Sequence, residues 1–223
     1  ANQVNSKEYT LNVLKIPSLV GFKMKLDYPN YIGKKSQVIE STGNATIPQG
    51  TSVSWFVETK NTNQVQLKTS EIAYNLIKDK ELFRLKKRIY KNLNYTLTTS
   101  NAKLKEYENL SFSLSVIKDQ YPEINIATQQ DSVYYQKTYC LGTVSDDYGL
   151  TKLQLVYYPA SDEPSKKTIT IALSASNFDQ FTYVFPGNLS LISGVSYNYY
   201  FEVFDNDALQ NFKSSRSSLF SYR

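Results

Sequence analysis

Apolar side chains at every second position, in short runs broken by turn residues, restrict this chain to strands that pack face to face. The clearest run is Leu110 to Ile117, where Phe112, Leu114 and Val116 alternate with Ser111, Ser113 and Ser115. An extended backbone sends these two sets to opposite faces, one buried and one wet. Val53, Trp55 and Val57 form another such stripe opposite Ser52 and Ser54, just after the turn Ile47-Pro48-Gln49-Gly50. Trp55, the only tryptophan, reads as a core anchor, with surface stacking on a sugar as the alternative. Further first-half candidates are Phe22, Met24 and Leu26; Val65 and Leu67; Leu82 to Ile89; and Tyr95 with Leu97. The second half repeats the pattern at Ile124 and Ile126; Thr138 to Val144; Leu153, Leu155 and Tyr157; Ile169, Ile171 and Leu173; and Phe181, Tyr183 and Phe185. It continues through Val195, Tyr197, Tyr199, Phe201 and Val203, and a last strand is expected from about Phe212 to Tyr222. No stretch keeps a helical period long enough for a substantial helix. The expected fold is all-β: two tandem β-sandwiches of the immunoglobulin-like or fibronectin type III-like kind.

A length of 223 residues suits two domains of about 100 residues each. Residues 1–16 read as a leader, in which Tyr9, Leu11 and Val13 alternate up to Pro17 and suggest the last strand of a preceding domain. Residues 17–119 form the first sandwich and 120–223 the second. The segment Asp119-Gln120-Tyr121-Pro122-Glu123 is the linker, its proline limiting the hinge. Leu191-x-x-Gly194-x-x-Tyr197-x-Tyr199 resembles the approach to strand F of fibronectin type III domains, where a corner tyrosine bonds back to the backbone.

Several chemistries are disfavoured by what the chain lacks. With no histidine there is no Ser-His-Asp or Cys-His pair and no imidazole ligand. The single cysteine, Cys140, lies in an apolar run and reads as buried and inert. Eight glycines include no phosphate-cradling pattern, and no Ser-x-x-Lys opens a helix. No apolar run reaches the roughly 20 residues of a membrane helix, and the amino terminus has neither an initiator Met nor a signal-peptide core, so an excised piece of a longer protein is expected. Abundant Asn, Ser, Thr, Tyr and Lys suit an extracytoplasmic setting. The glycosylation triplets at Asn44, Asn94, Asn109 and Asn188 are those expected by chance in such a composition, and no glycan is assigned.

Charge is divided unevenly. Up to Asp119 there are 18 Lys and Arg against 10 Asp and Glu, a net of +8; beyond it there are 7 against 10, a net of −3. Much of the excess falls between Lys78 and Lys91, with Lys80, Arg84, Lys86, Lys87 and Arg88 spaced by Leu82, Phe83, Leu85 and Ile89. Such a stretch could draw anionic lipid, glycan or nucleic acid. A solvated strand face or charged hairpin edge is the preferred reading. No nucleic-acid partner is assigned, since neither a stacking platform nor a reading element accompanies the charge.

Two acidic turns lie at strand ends: Ser145-Asp146-Asp147-Tyr148-Gly149 and Asp205-Asn206-Asp207. Together with Asp119, the carboxylates of Asp146, Asp147, Asp205 and Asp207 could supply hard oxygen ligands to Ca²⁺ near one pole of the second domain. Aspartate is also favoured in turns because its side chain bonds nearby amides, and structural turns are preferred over metal here. No other cofactor is implied. Glycosidase-like use of these carboxylates would need Asp146 or Asp147 to face Asp205 or Asp207 across an open groove, which is not expected.

With these residues in place, the chain closely resembles the extracytoplasmic segment of large bacterial envelope proteins catalogued as domain of unknown function number forty-one seventy-five. The stretches that carry the likeness run from Ile16-Pro17-Ser18-Leu19 to Tyr28-Pro29-Asn30-Tyr31, and from Gly43-Asn44-Ala45 to Pro48-Gln49-Gly50-Thr51 with Trp55. They continue through Lys118 to Glu123, Val144 to Leu150, and Phe204-Asp205-Asn206-Asp207 with Lys213-Ser214. The resemblance implies a membrane-anchored parent with amino-terminal helices, serial sandwiches on the periplasmic side of the inner membrane, and a Glu- and Lys-rich coiled coil beyond Arg223. It carries no catalytic residues. The expected role is a non-catalytic structural or protein-interaction module with a partner in the cell envelope; the alternative is a ligand-binding module for glycan or Ca²⁺. An exposed, contiguous Tyr158, Tyr200 and Phe204 would mark a binding patch.

Overall fold

In the computed structural model, residues 7–10, 12–133, 137–174 and 176–223 are described. Leu11 of the expected leader strand lies outside them. Tyr9 and Val13 are each 85% exposed, and no strand precedes Ser18 among the described residues. The chain divides into two compact units. One contains residues 1–29 and 34–117, the other 30–33 and 118–223. The short segment Asn30–Gly33 and the residues from Lys118 thus belong with the second unit, a grouping that the linear reading 17–119 and 120–223 does not contain.

Among the described residues the first unit has ten strands: β1 (Ser18–Asp27), β2 (Gln37–Glu40), β3 (Ala45–Pro48), β4 (Thr51–Lys60), β5 (Gln64–Lys68), β6 (Ala73–Asn75), β7 (Ile77–Asp79), β8 (Leu82–Ile89), β9 (Leu93–Ser100) and β10 (Glu108–Ile117). They form two sheets, ordered β2-β1-β4-β8-β7 and β3-β10-β9-β5-β6. The pairs are antiparallel except β3 with β10, which run parallel. Period-two burial decides which face turns inward. Met24, Trp55 and Phe83 from one sheet meet Ile47, Leu67, Tyr95, Leu97 and Leu114 from the other in a single buried cluster. Each such side chain contributes roughly 1.5–3 kcal/mol by leaving water. Trp55 is fully buried, so the core reading stands and sugar stacking at this residue falls away.

The basic stretch forms the β7–β8 hairpin at the sheet edge, with Arg84, Lys86 and Arg88 turned to solvent. Arg84 pairs with Asp79, and the Lys87 ammonium lies 4.0 Å from the Tyr74 ring centre. It is a solvated edge that discourages further strand pairing.

Among the described residues the second unit has eight strands: β11 (Glu123–Gln130), β12 (Thr138–Ser145), β13 (Leu150–Pro159), β14 (Lys167–Ile171), β15 (Phe178–Phe185), β16 (Tyr197–Asp205), β17 (Ser214–Arg216) and β18 (Phe220–Tyr222). The sheets are β11-β12-β15 and β14-β13-β16-β17, with β18 also on β16. The single strand expected from Phe212 to Tyr222 is therefore two short ones, because Ser217 turns inward to cap the Phe201 amide between them. Cys140, Phe181 and Phe185 face Leu153, Leu155, Tyr199 and Phe201 in a second buried cluster, distinct from the first. The rings of Phe185 and Tyr199 stack at 3.9 Å. Burial pushes the Cys140 thiol up, the opposite of an activated thiolate. The Tyr197 hydroxyl accepts from the Ile192 amide at 3.1 Å, the back-bond expected of a corner tyrosine. Both units are β-sandwiches, and the fold is all-β of the immunoglobulin-like and fibronectin type III-like kind.

Candidate functional site

Strand direction gathers the acidic residues at one end of the second sandwich. β11 and β12 are antiparallel with Glu123 opposite Ser145, so Asp119, just before β11, and Asp146, just after β12, lie at the same end. β13 and β16 are antiparallel with Leu150 opposite Asp205, which brings Asp205-Asn206-Asp207 to that end too.

Each turn is fixed by its own side chains. One oxygen of Asp146, Oδ2, accepts from the amides of Tyr148 at 2.9 Å and Gly149 at 2.8 Å, closing a tight loop. Gly149 has φ of +141°, and a Cβ there would stand 2.8 Å from Asn206 Nδ2, so only glycine fits. The Asn206 amide donates to the carbonyls of Tyr148 at 3.0 Å and Tyr31 at 3.2 Å. Asp205 Oδ1 accepts from the Asp207 amide at 3.1 Å, and Asp207 Oδ1 accepts from the Leu209 amide at 2.8 Å, capping a short 3-10 turn.

Lys213 enters this end from the strand-free stretch before β17. Its ammonium pairs with Asp119, donates to the Asp119 carbonyl at 3.0 Å, and lies 4.0 Å from Asp205 Oδ2. The side chains of Lys213, Asp119 and Asp205 are only 8%, 2% and 1% exposed. Burial pushes the Asp119 carboxyl up to about 7, against the opposing pull of Lys213. The Asp205 carboxyl is likewise raised by burial. The Tyr31 phenol is held above its ordinary range by burial and by the charges of Asp207 and Asp119. Its ring meets that of Tyr148 edge-on at 5.6 Å.

Of the five aspartates singled out in the sequence, Asp119, Asp205 and Asp207 are buried, Asp146 is half-buried and Asp147 is exposed. Among the described residues, no three His, Cys, Asp or Glu side chains are grouped as a metal site. The Lys213 ammonium stands against Asp119 and Asp205 and serves those two carboxylates. Four buried oxygens nonetheless lack a hydrogen-bond partner: Asp146 Oδ1, Asp205 Oδ2, Asn206 Oδ1 and Asp207 Oδ2. Lys213 and Tyr31 were not legible as members of this group. A lone lysine in a polar stretch has no periodic signature, and Tyr31 is 175 residues from its partner Asn206.

The geometry does not offer a solvent-open carboxylate pair, since Asp205 and Asp207 are both buried. A neighbouring depression of about 350 Å³ is lined by Tyr148, Gly149, Leu150, Ser176, Asn177 and Asn206, and by none of the aspartates.

The outer sheet faces of this unit differ from one another. Tyr158 and Tyr200, which with Phe204 would have marked a binding patch had they been exposed, are each only 6% exposed, so that patch loses its support. They cluster with Val156 on the side away from the main core, and Lys166 and Arg216 lie over their rings. Phe204 is half-buried beneath Lys152. The long cationic side chains shield these rings from water. On the other sheet, the outer face of β12 carries Tyr139 and Leu141, 46% and 56% exposed. Leu141 lies between Ala127 and Thr182, and Tyr139 between Gln129 and Val184.

No family model matches the chain, and no curated protein matches it. Among solved structures, it is similar to a DUF3823 family protein from Bacteroides ovatus, with 11% identity, 72% of this chain and 87% of that chain covered, and a TM-score of 0.29. It is also similar to the CbhA fibronectin(III)-like modules of Clostridium thermocellum, at 11% identity, 81% and 88% coverage and a TM-score of 0.28. The human OSCAR ligand-binding domain gives 12% identity, 78% and 92% coverage and a TM-score of 0.27.

Proposed function

We propose that this chain is a non-catalytic protein-interaction module of a membrane-anchored bacterial envelope protein, working on the periplasmic side of the inner membrane. The setting follows from the resemblance to the envelope family number forty-one seventy-five. The interaction role is supported by one observation: the outward face of β11-β12-β15 centres on exposed Tyr139 and Leu141, and its only charged residue among the paired positions is Glu123. A charge-poor sheet face with exposed apolar side chains at its centre gains by being covered. Among the described residues β11 is an edge strand, so a partner strand could also extend the sheet there.

The test is photo-crosslinking in the native host, with the crosslinker at position 141 of the full-length parent. A discrete adduct is expected, and Leu141→Lys with Tyr139→Ser should abolish co-purification of the same partner while the fold is retained. Equal recovery with the double variant would move the binding surface elsewhere, and failure of the parent to fractionate with the inner membrane would remove the setting.

A further inference from the structure

The four partnerless oxygens are not equivalent. Asp205 Oδ2 lies near the Lys213 ammonium, which also serves Asp119, so those two carboxylates share one cation. Among the described residues, Asp146 and Asp207 make no ion pair, and each has one oxygen bonded to main-chain amides and the other buried without a hydrogen-bond partner. Asp207 is 1% exposed. A buried carboxylate oxygen in that state is strongly unfavourable unless a cation or a proton meets it.

Asn206 lies between Asp205 and Asp207 in sequence and presents a third such oxygen. Its Nδ2 is held by the carbonyls of Tyr31 and Tyr148, which leaves Oδ1 as the unused end of the amide. Asp146 is tied to the same loop through the Tyr148 and Gly149 amides, so Asp146 and Asn206 are fixed to adjacent peptide groups. All three side chains are anchored at one end by backbone, which reduces the ordering cost of binding at the other. The donors are two carboxylates and an amide carbonyl, with no thiolate and no imidazole. That set suits a hard cation and not zinc or copper.

We propose that this pole binds a divalent cation of the Ca²⁺ class through Asp146 Oδ1, Asn206 Oδ1 and Asp207 Oδ2, beside the Lys213 ammonium. The ion would balance the carboxylates that Lys213 does not reach, and water or main-chain carbonyls would complete its shell. The site is independent of the outer sheet face through which protein binding is proposed.

Tb³⁺, which replaces Ca²⁺ on oxygen ligands, provides the readout, because the nearby Tyr31 and Tyr148 can sensitise its luminescence. Titration of Tb³⁺ into the metal-stripped 223-residue protein should give a saturable tyrosine-excited signal that Ca²⁺ displaces. Asp207→Asn and Asp146→Asn should each weaken both ions by roughly tenfold or more, as loss of a charged ligand does, with an unchanged far-UV circular dichroism spectrum. Asp146 is half-buried, so its variant decides the matter if Asp207→Asn does not fold. The absence of any Ca²⁺-displaceable signal in the unsubstituted protein would overturn the site. Undiminished affinity in Asp146→Asn would overturn it as well.

Discussion

The two sandwiches treat their buried polar groups differently. In the first, the Tyr95 hydroxyl accepts from Trp55 Nε1 at 3.0 Å and donates to the Gly43 carbonyl at 2.7 Å, so the core is crossed by a fully used network. Thr98 Oγ1 is the one partnerless buried side-chain atom of that unit among the described residues. In the second, the aromatic interior is just as closed, yet four oxygens at its acidic end have no partner. A buried polar group whose bonding capacity is used up serves the fold. One left unused costs stability, and its retention points to a demand other than folding.

The largest expected effect tests the first half of that contrast. Trp55→Ala removes the largest fully buried side chain and should cost about 4 kcal/mol, read from urea denaturation followed by circular dichroism. A loss below about 1 kcal/mol would mean that this core is not organised around Trp55. Lys213→Met tests the second half. It strands Asp119 and Asp205 as buried charges, with an expected cost of about 3 kcal/mol; a neutral result would show that the acidic end is already neutralised by something else.

Tyr95→Phe should cost about 2 kcal/mol by leaving the Trp55 N–H and the Gly43 carbonyl without a partner. This substitution also has a pH signature. Burial raises the Tyr95 phenol above its ordinary 10.0, with the Trp55 hydrogen bond opposing. The unfolded tyrosine ionises before the folded one, so its contribution is intact below pH 10.0 and is lost as pH rises beyond it. The stability difference between the native protein and Tyr95→Phe should therefore shrink as pH rises above about 10. A constant difference would contradict the buried, protonated phenol. Tyr197→Phe should cost about 1 kcal/mol, the value of one partly buried hydrogen bond at the sheet corner. The smallest effect is expected at the outer face, where Leu141→Lys should change stability by no more than about 0.5 kcal/mol while removing partner binding.

Much of this molecule follows from local pattern. Alternation identified Phe112, Leu114 and Val116, and all three turn to the core side, though only Leu114 is fully buried. The glycine and tyrosine spacing before β16 anticipated the back-bond from Tyr197, because that contact spans only five residues. Pattern was less informative where both faces of a strand are apolar. In β13 and β16, Val156, Tyr158 and Tyr200 are as buried as residues facing the core, and sequence could not show that Lys166 and Arg216 cover them. The split of the last strand turned on Ser217 capping Phe201, a contact that no alternation announces.

The sequence by itself determined that the chain forms strands with one buried face each, because side-chain direction in an extended backbone is set by parity alone. It also placed Asp146 and Asp207 in turns just past strand ends, where Asp205 closes β16. Only the tertiary structure decided that Lys213 stands between Asp119 and Asp205, and that Tyr31 belongs to the same group. Partners 94 and 175 residues apart are brought together by strand order, and a charge has no periodicity from which its partner can be read.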